Sequence, residues 1–134
     1  IYTLPMAYSD VGCFTICLNN SPDNTVKALQ ATAGEIEKLL DNGITKEELS
    51  RAKVQLVSSL AFSEENVQSQ MMSFGKGLIS SGRMFDVNRK IELTEAVTKE
   101  EIENFAKKYF KKENMTAAYV GKKFDGNILS IMKK

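Results

Sequence analysis

Apolar residues recur at intervals of three and four through most of this 134-residue chain, and that spacing predicts amphipathic helices. The first helix is expected to stop at Asn42-Gly43, because glycine can adopt the left-handed conformation that ends a helix. Its apolar stripe comprises Val26, Leu29, Ala33, Ile36 and Leu40.

Two further helix starts are marked by capping boxes, in which a threonine and a glutamate three residues later accept hydrogen bonds from each other's backbone amides. These are Thr45-Lys46-Glu47-Glu48 and Thr98-Lys99-Glu100-Glu101. A short helix is also expected from Asp86 to Glu95. The remaining apolar stripes are Leu49, Ala52, Leu56 and Leu60, then Val67, Met71, Phe74 and Leu78, ending at Ser80-Ser81-Gly82, and finally Ile102, Phe105, Tyr109 and Phe110.

The start of the chain alternates between apolar and other residues, which is typical of strands. Residues 2–8 and 13–18 are predicted to form a hairpin with a turn at Ser9-Asp10, and Met115–Val120 is predicted to form a last strand. A small helix is expected through Ile128, Leu129 and Met132. This order favours an α+β fold, with an antiparallel or mixed sheet and helices packed on one face.

Residues 1–134 are expected to form a single domain that is a fragment of a longer protein. Three strands are few for this much helix, and the chain already reads as strand at its first residues. Tyr2, Leu4 and Met6 are therefore expected to be exposed along an unpaired sheet edge. Such an edge can pair with a second copy of the chain, most simply as a homodimer.

The sequence contains no histidine, which excludes a Ser-His-Asp triad, a Cys-His pair and any histidine-based zinc site within it. Cys13 and Cys17 would lie about 13 Å apart in an extended strand, farther than the roughly 7 Å that a disulfide tolerates. Free thiols, packed as small apolar groups, are expected, and they favour a reducing compartment such as the cytoplasm. With no apolar run near the length of a bilayer span, no membrane helix is expected.

Arg83 is the one candidate for contact with a substrate. It follows Ser81-Gly82 in a predicted loop, where a cation could bind a substrate carboxylate. The alternative is an ordinary surface arginine.

The end of the chain is basic, with nine lysines and five carboxylates from Lys99 onwards. Three lysine pairs could contact nucleic acid phosphates, although a solvated lysine-rich surface is the favoured interpretation. The pairs are Lys107-Lys108, Lys111-Lys112 and Lys122-Lys123.

Six short segments, each common by itself, occur together in an order and spacing that resemble the C-terminal half of the pitrilysin/insulinase-type zinc peptidases. That family includes the mitochondrial processing peptidases, and the compact bacterial members are the most similar. The segments are Ser9-Asp10-Val11-Gly12, Pro22-Asp23-Asn24, Gly43 to Leu49 continuing to Ala52-Lys53, Ser81-Gly82-Arg83, Ala96-Val97-Thr98 with Glu101, and Asn114-Met115-Thr116 leading to Val120-Gly121.

The resemblance implies a parent of two α+β halves that close around a peptide, and this chain would be most of the non-metal half, of the LuxS/MPP-like fold. The other half would carry an H-x-x-E-H helix, whose histidines bind zinc and whose glutamate activates water. The family's substrate-binding Arg/Tyr pair would precede Ile1, so no catalytic, cofactor or metal residue is assigned here.

The chain alone is therefore expected to be inactive, with zinc in the parent but not in this chain. Its expected partners are the metal-binding half and a peptide substrate, with no nucleic acid and no membrane. Some relatives have lost catalysis and serve as scaffold or core subunits, which is the alternative role. A basic nucleic-acid-binding module is the less favoured alternative.

Overall fold

The computed structural model describes residues 1–8 and 10–132, with the backbone alone for Ser81. Its helices and two-stranded sheet confirm the α+β class. Contacts group the chain into two compact units. The elements are β1 (Tyr2–Ala7), β2 (Gly12–Cys17), α1 (Thr25–Asn42), α2 (Lys46–Glu64), α3 (Val67–Ser81), α4 (Val87–Ala96), α5 (Lys99–Tyr109) and α6 (Ile128–Met132), with single 3-10 turns at Pro22–Asn24 and Lys112–Asn114.

Strands β1 and β2 form the predicted hairpin. The backbone N–H of Tyr8 donates to the carbonyl of Val11 at 2.8 Å across the turn. Ser9, part of the predicted turn signal, lies outside the described residues. The side chains of Tyr2, Leu4 and Met6 are exposed, so the prediction of an uncovered apolar surface on β1 is confirmed.

The first unit contains Ile1–Leu4, Ile16–Ile44 and the chain from Glu100. Its buried residues lie mainly along α1, where Leu29 and Ala33 form the centre of the predicted stripe. Val26, at the start of that stripe, is exposed instead. The predicted C-terminal helix α6 packs against α1, which confirms that helix.

Two buried threonines on α1 have their hydroxyl groups satisfied. The side-chain amide of Asn20 donates to Thr25 Oγ1 at 3.0 Å, and Thr32 Oγ1 donates to the carbonyl of Ala28 at 2.8 Å. A buried hydroxyl without a partner costs about 1–3 kcal/mol. These hydrogen bonds therefore let polar residues sit beside Leu29 without that penalty.

Helix α5 buries only part of its predicted stripe, with Ile102 and Phe110 half-buried. Ala106 is 2% exposed and is the buried position, while Phe105 and Tyr109 are exposed. The two rings contact each other, with centroids 4.7 Å apart. The spacing of apolar residues does not show whether Ala106 or the rings of Phe105 and Tyr109 are buried. A small residue can be favoured because it lets the helix approach its neighbours more closely than a ring does.

The predicted last strand, Met115–Val120, is wrong. The segment is not assigned to a strand, and Val120 is fully exposed. A strand needs a neighbouring backbone for its ladder of hydrogen bonds. Within the described residues, the sheet contains β1 and β2 alone. The apolar composition of this segment suggested a strand but carried no information about a pairing partner.

The second unit contains Pro5–Thr15 and Thr45–Lys99, with α2 packed against both α3 and α4. Lys53 on α2 donates from its ammonium group to the carbonyl of Glu95 at 2.6 Å. That carbonyl lies in the last turn of α4, where helix carbonyls have no partner within the helix and a cation is favourable. This contact fixes the end of α4 against α2.

Helix α2 begins with the predicted capping box. The N–H of Glu48 donates to Thr45 Oγ1 at 3.1 Å, and the N–H of Thr45 donates to Glu48 Oε2 at 2.7 Å. The backbone hydrogen bond from Thr45 holds the pKa of Glu48 below its usual range. Because the folded pKa is depressed, this carboxylate contributes stability above the unfolded pKa, near 4.3, and that contribution is lost on acidification.

The predicted apolar stripe of α3 is exposed in the structure. Val67 is 80% exposed, and Met71, Phe74 and Leu78 are also exposed. The helix itself is confirmed, as is its end at Gly82, which has φ 66° and ψ 12°. Periodicity predicts that a helix has an apolar face, but covering that face depends on another segment packing against it.

Gly43 ends α1 with φ 68° and ψ −156°. The predicted positive φ is confirmed, but this ψ differs from the left-handed helical value that we expected. A Cβ atom at this position would also collide with the carboxylate of Glu103, whose Oε1 accepts from the N–H of Ile44 at 3.4 Å.

We predict that Thr45→Ala lowers the free energy of unfolding by about 1 kcal/mol, the usual cost of losing an N-cap. We expect a similar loss for Thr98→Ala, since Thr98 immediately precedes α5. Urea denaturation measures both. Thr116→Ala is the control, because Thr116 is an exposed threonine outside the helices. An unchanged midpoint for Thr45→Ala would contradict the contribution of the capping box.

We predict opposite effects for alanine at two glycines. Gly43→Ala places a side chain in a backbone region that costs about 1–3 kcal/mol and against Glu103, so it should destabilise the chain. Gly34→Ala lies within α1 with no atom in the way, and it should stabilise by up to about 1 kcal/mol. Thermal melts of both variants test this pair. Equal shifts in the same direction would contradict it.

Candidate functional site

The side chains described by the structure form no cluster that could ligate a metal. No three residues among the described cysteines, aspartates and glutamates converge, and the sequence has no histidine. The zinc that the family resemblance implies therefore does not fit the residues of this chain. A zinc site of the parent would need ligands from elsewhere.

Both cysteines are free thiols, as predicted. Cys17 is half-buried, but Cys13 is exposed, so the prediction that both pack as apolar groups is wrong for Cys13. Cys13 lies on the hairpin with its sulfur 3.4 Å from Thr15 Oγ1. A hydrogen bond with Cys17 is the main cause that raises the pKa of the Tyr2 hydroxyl, which favours its neutral form.

Arg83 lies in the connection between α3 and α4, and the conformation of that connection is fixed at both ends. Gly82 ends α3 in the left-handed conformation, and its N–H donates to the carbonyl of Leu78 at 3.0 Å. Asp86 begins α4 by accepting from the N–H of Arg89 at 3.1 Å. The connecting residues 83–85 are therefore held between two capped helix ends.

Gly77 allows this connection to lie against α3. A Cβ atom at Gly77 would be 2.9 Å from the carbonyl oxygen of Arg83 and 3.3 Å from the backbone nitrogen of Phe85. Both distances are shorter than side chains normally tolerate, and the obstructing atoms are backbone. A larger residue at position 77 would push the Arg83 segment away from the helix.

An open cleft of about 420 Å³ lies at this connection, entirely within the second unit. Four of its lining residues are cationic and one is a carboxylate, Asp86. Phe85, Met84 and Leu93 supply its apolar surface. The full lining is Ser73, Lys76, Gly77, Arg83, Met84, Phe85, Asp86, Arg89, Lys90 and Leu93.

A second cavity, of about 440 Å³, shares Phe85, Lys90 and Leu93 with this cleft. Its remaining lining residues are mostly apolar and come from α2 and the end of α4. They are Leu56, Leu60, Thr94 and Val97. Because the two cavities share lining residues, we describe them together as the α3–α4 groove. Its cationic end is the first cavity and its apolar end is the second, and Lys90 lines both.

The structure places the predicted contact residue Arg83 in the cationic end of the α3–α4 groove. Its contact with substrate stays a prediction. Sequence reasoning did not identify Lys76, Arg89 or Lys90 as neighbours of Arg83. Lys76 and Arg83 are seven residues apart, on a helix and in the loop that follows it, and only the reversal at Gly82 brings their segments together.

Two lysines of the pairs near the end of the chain, Lys108 and Lys123, have local partners. Lys108 lies over the ring of Tyr109, 5.0 Å from its centroid. Lys123 pairs with Asp125 at 3.1 Å. These contacts are those of exposed side chains on a solvated surface, the interpretation that the sequence favoured.

In the part of the chain that the structure describes, no helix is long and apolar enough to cross a membrane.

Comparison with known proteins supports the family resemblance. Residues 1–56 match the family model described as the peptidase M16 inactive domain. The chain is 30% identical over 114 residues to an uncharacterized zinc protease of Rickettsia felis, which covers 85% of the chain and 27% of that protein. It is also 30% identical over 111 residues to the uncharacterized zinc protease YmxG of Bacillus subtilis, covering 82% and 27%.

The chain thus spans about a quarter of the length of the curated relatives that it matches. The matched family domain begins at the hairpin and extends into α2, and the two relatives match over most of the chain. These matches support the identification of the chain as a C-terminal, inactive domain of a pitrilysin-type (M16) zinc peptidase.

Proposed function

We propose that this chain forms part of the wall of a peptide-enclosing chamber in a parent zinc peptidase, and that the other half of the parent performs catalysis. The observation that carries this proposal is the match of residues 1–56 to an inactive peptidase domain. Two relatives named as zinc proteases support it. The chain itself contributes shape, charge and contact surface to peptide binding.

The proposed partner is the metal-binding half of the parent. Exposed apolar residues on α3 and on β1 support this proposal, since a monomeric protein seldom leaves such groups uncovered in a row. Val67, Met71 and Leu78 lie on one helical face, and Tyr2, Leu4 and Met6 follow one strand. Zinc would be held by the partner half, because no described cluster in this chain could ligate it.

A scaffold or core subunit is the alternative within the same family. Such a protein would use the same fold and the same surfaces but would lack a working metal site. The upstream coding sequence decides between the two roles, because H-x-x-E-H there supports a peptidase and its absence supports a scaffold. We also propose a reducing compartment, the cytoplasm, on the basis of the two free thiols.

We predict that the intact parent cleaves a fluorogenic peptide in a chelator-sensitive manner, while this chain alone neither cleaves it nor retains zinc after purification. The reason is that the chain contains no histidine to ligate zinc. Metal analysis and the peptide assay are run on both proteins. The control is the parent with the glutamate of H-x-x-E-H replaced by glutamine.

Stoichiometric zinc with cleavage by the chain alone would overturn the proposal. A parent that lacks H-x-x-E-H and shows no cleavage would establish the scaffold role instead. A salt-sensitive shift on mixing the chain with DNA or RNA, lost when the lysine pairs are replaced, would favour the nucleic-acid module.

We also propose that, without its partner half, the chain associates with a second copy through β1. The exposed Tyr2, Leu4 and Met6 support this, because a hairpin edge offers unpaired backbone groups to another strand. Light scattering over a concentration series should show a dimer, and Leu4→Lys should shift it towards monomer. Thr3→Lys is the control for added charge. A strict monomer at high concentration would contradict this prediction.

A further inference from the structure

The cationic end of the α3–α4 groove has more positive than negative charge among its own residues. The carboxylate of Asp86, which lines this end, already accepts a hydrogen bond from the N–H of Arg89 at the start of α4. Arg89 is paired with Glu92 at 3.0 Å. Among the described residues no carboxylate forms an ion pair with Lys76, Arg83 or Lys90. Three like charges around one cleft raise its positive potential, and an anion would be stabilised there.

The adjoining surface of the groove is apolar. Phe85 and Leu93 belong to both cavities, and Leu56, Leu60 and Val97 extend the apolar surface along α2 and α4. A ligand that fills both ends therefore combines an anionic group with an apolar group a short distance away. A nucleic acid backbone would satisfy the cations but leave the apolar end exposed to water.

The groove is also held in shape before any ligand binds. The capped ends at Gly82 and Asp86 fix the Arg83 segment, and Gly77 lets it lie on α3. A preformed site loses less conformational entropy on binding than a mobile loop does. Arg83 and Lys90 are exposed side chains, so both are accessible to a ligand entering from solvent.

We propose that the α3–α4 groove binds the C-terminal carboxylate of a peptide whose last side chain is apolar. The carboxylate lies among Lys76, Arg83 and Lys90, and the last side chain lies against Phe85 and Leu93. This proposal rests on the proposed function, because peptides reach the groove if the chain forms part of a peptide-enclosing chamber. It gives the chain a role in substrate selection, since peptides with a free, apolar C-terminus are bound in preference to others.

The test uses this chain and a fluorescently labelled hexapeptide ending in leucine, prepared as the free acid and as the amide. Fluorescence anisotropy at low ionic strength measures the dissociation constants. The acid is expected to bind about tenfold more tightly than the amide, because amidation removes the charge that the groove recognises. Replacing the last leucine by glycine should weaken binding of the acid, and added salt should do the same.

Arg83→Gln and Lys90→Gln are each expected to weaken binding of the acid by about fivefold, the size of one exposed charge interaction, without changing binding of the amide. Arg83→Lys should restore part of the loss. Arg51→Gln is the matched control, since Arg51 is an exposed arginine on α2 outside the groove lining. Circular dichroism confirms that each variant keeps its helices.

Equal binding of acid and amide would overturn the proposal, as would an equal loss in Arg51→Gln. Binding of an oligonucleotide that is weakened by the same groove variants would overturn it in favour of a nucleic acid site. The result is separable from the proposed function. Acid-selective binding with an inactive parent removes the peptidase proposal only, whereas an active parent with no acid selectivity in this chain removes the groove proposal only.

Discussion

The separation of α1 from α2 depends on a backbone conformation at Gly43 and on the capping box that follows it. Gly43 takes a backbone conformation with positive φ, and Thr45 and Glu48 then satisfy each other's amides at the start of α2. One of the four points at which the chain passes from one compact unit to the other falls here, between Ile44 and Thr45.

Burial in the chain is uneven, and that unevenness bears on its function. The buried apolar residues among those described, Leu29, Ala33 and Ala106, all belong to the first unit. In the second unit the helices are capped and packed, yet the apolar face of α3 remains exposed. The proposed role as one wall of a larger enclosure would account for such faces, because neighbouring parts of the parent would complete their burial. The α3–α4 groove differs from them in having cations that no carboxylate of the described residues neutralises.

Local signals predicted the elements well. The helix starts at Lys46 and Lys99, the helix ends before Gly43 and Gly82, and the initial hairpin all follow from caps, glycines and periodicity within a few residues. The last strand was predicted wrongly, because the apolar run at 115–120 carries no information about a pairing partner. Burial was predicted less well than element type, as Val67 and Phe105 show, since burial depends on residues far away in the sequence.

The sequence by itself determined the type and limits of most elements, the absence of a histidine-based site, and the resemblance to an inactive peptidase domain. Each depends on residue identity or on neighbours within one helical turn. The tertiary structure decided which apolar faces are covered and which cations share a cleft. Arg83 was a candidate from its loop position, but its grouping with Lys76 and Lys90 required the turn at Gly82 and the close approach at Gly77. These three cations share a cleft only because α3, the connection and α4 pack together. The sequence pattern of each segment alone does not show which side chains of the other segments lie near it.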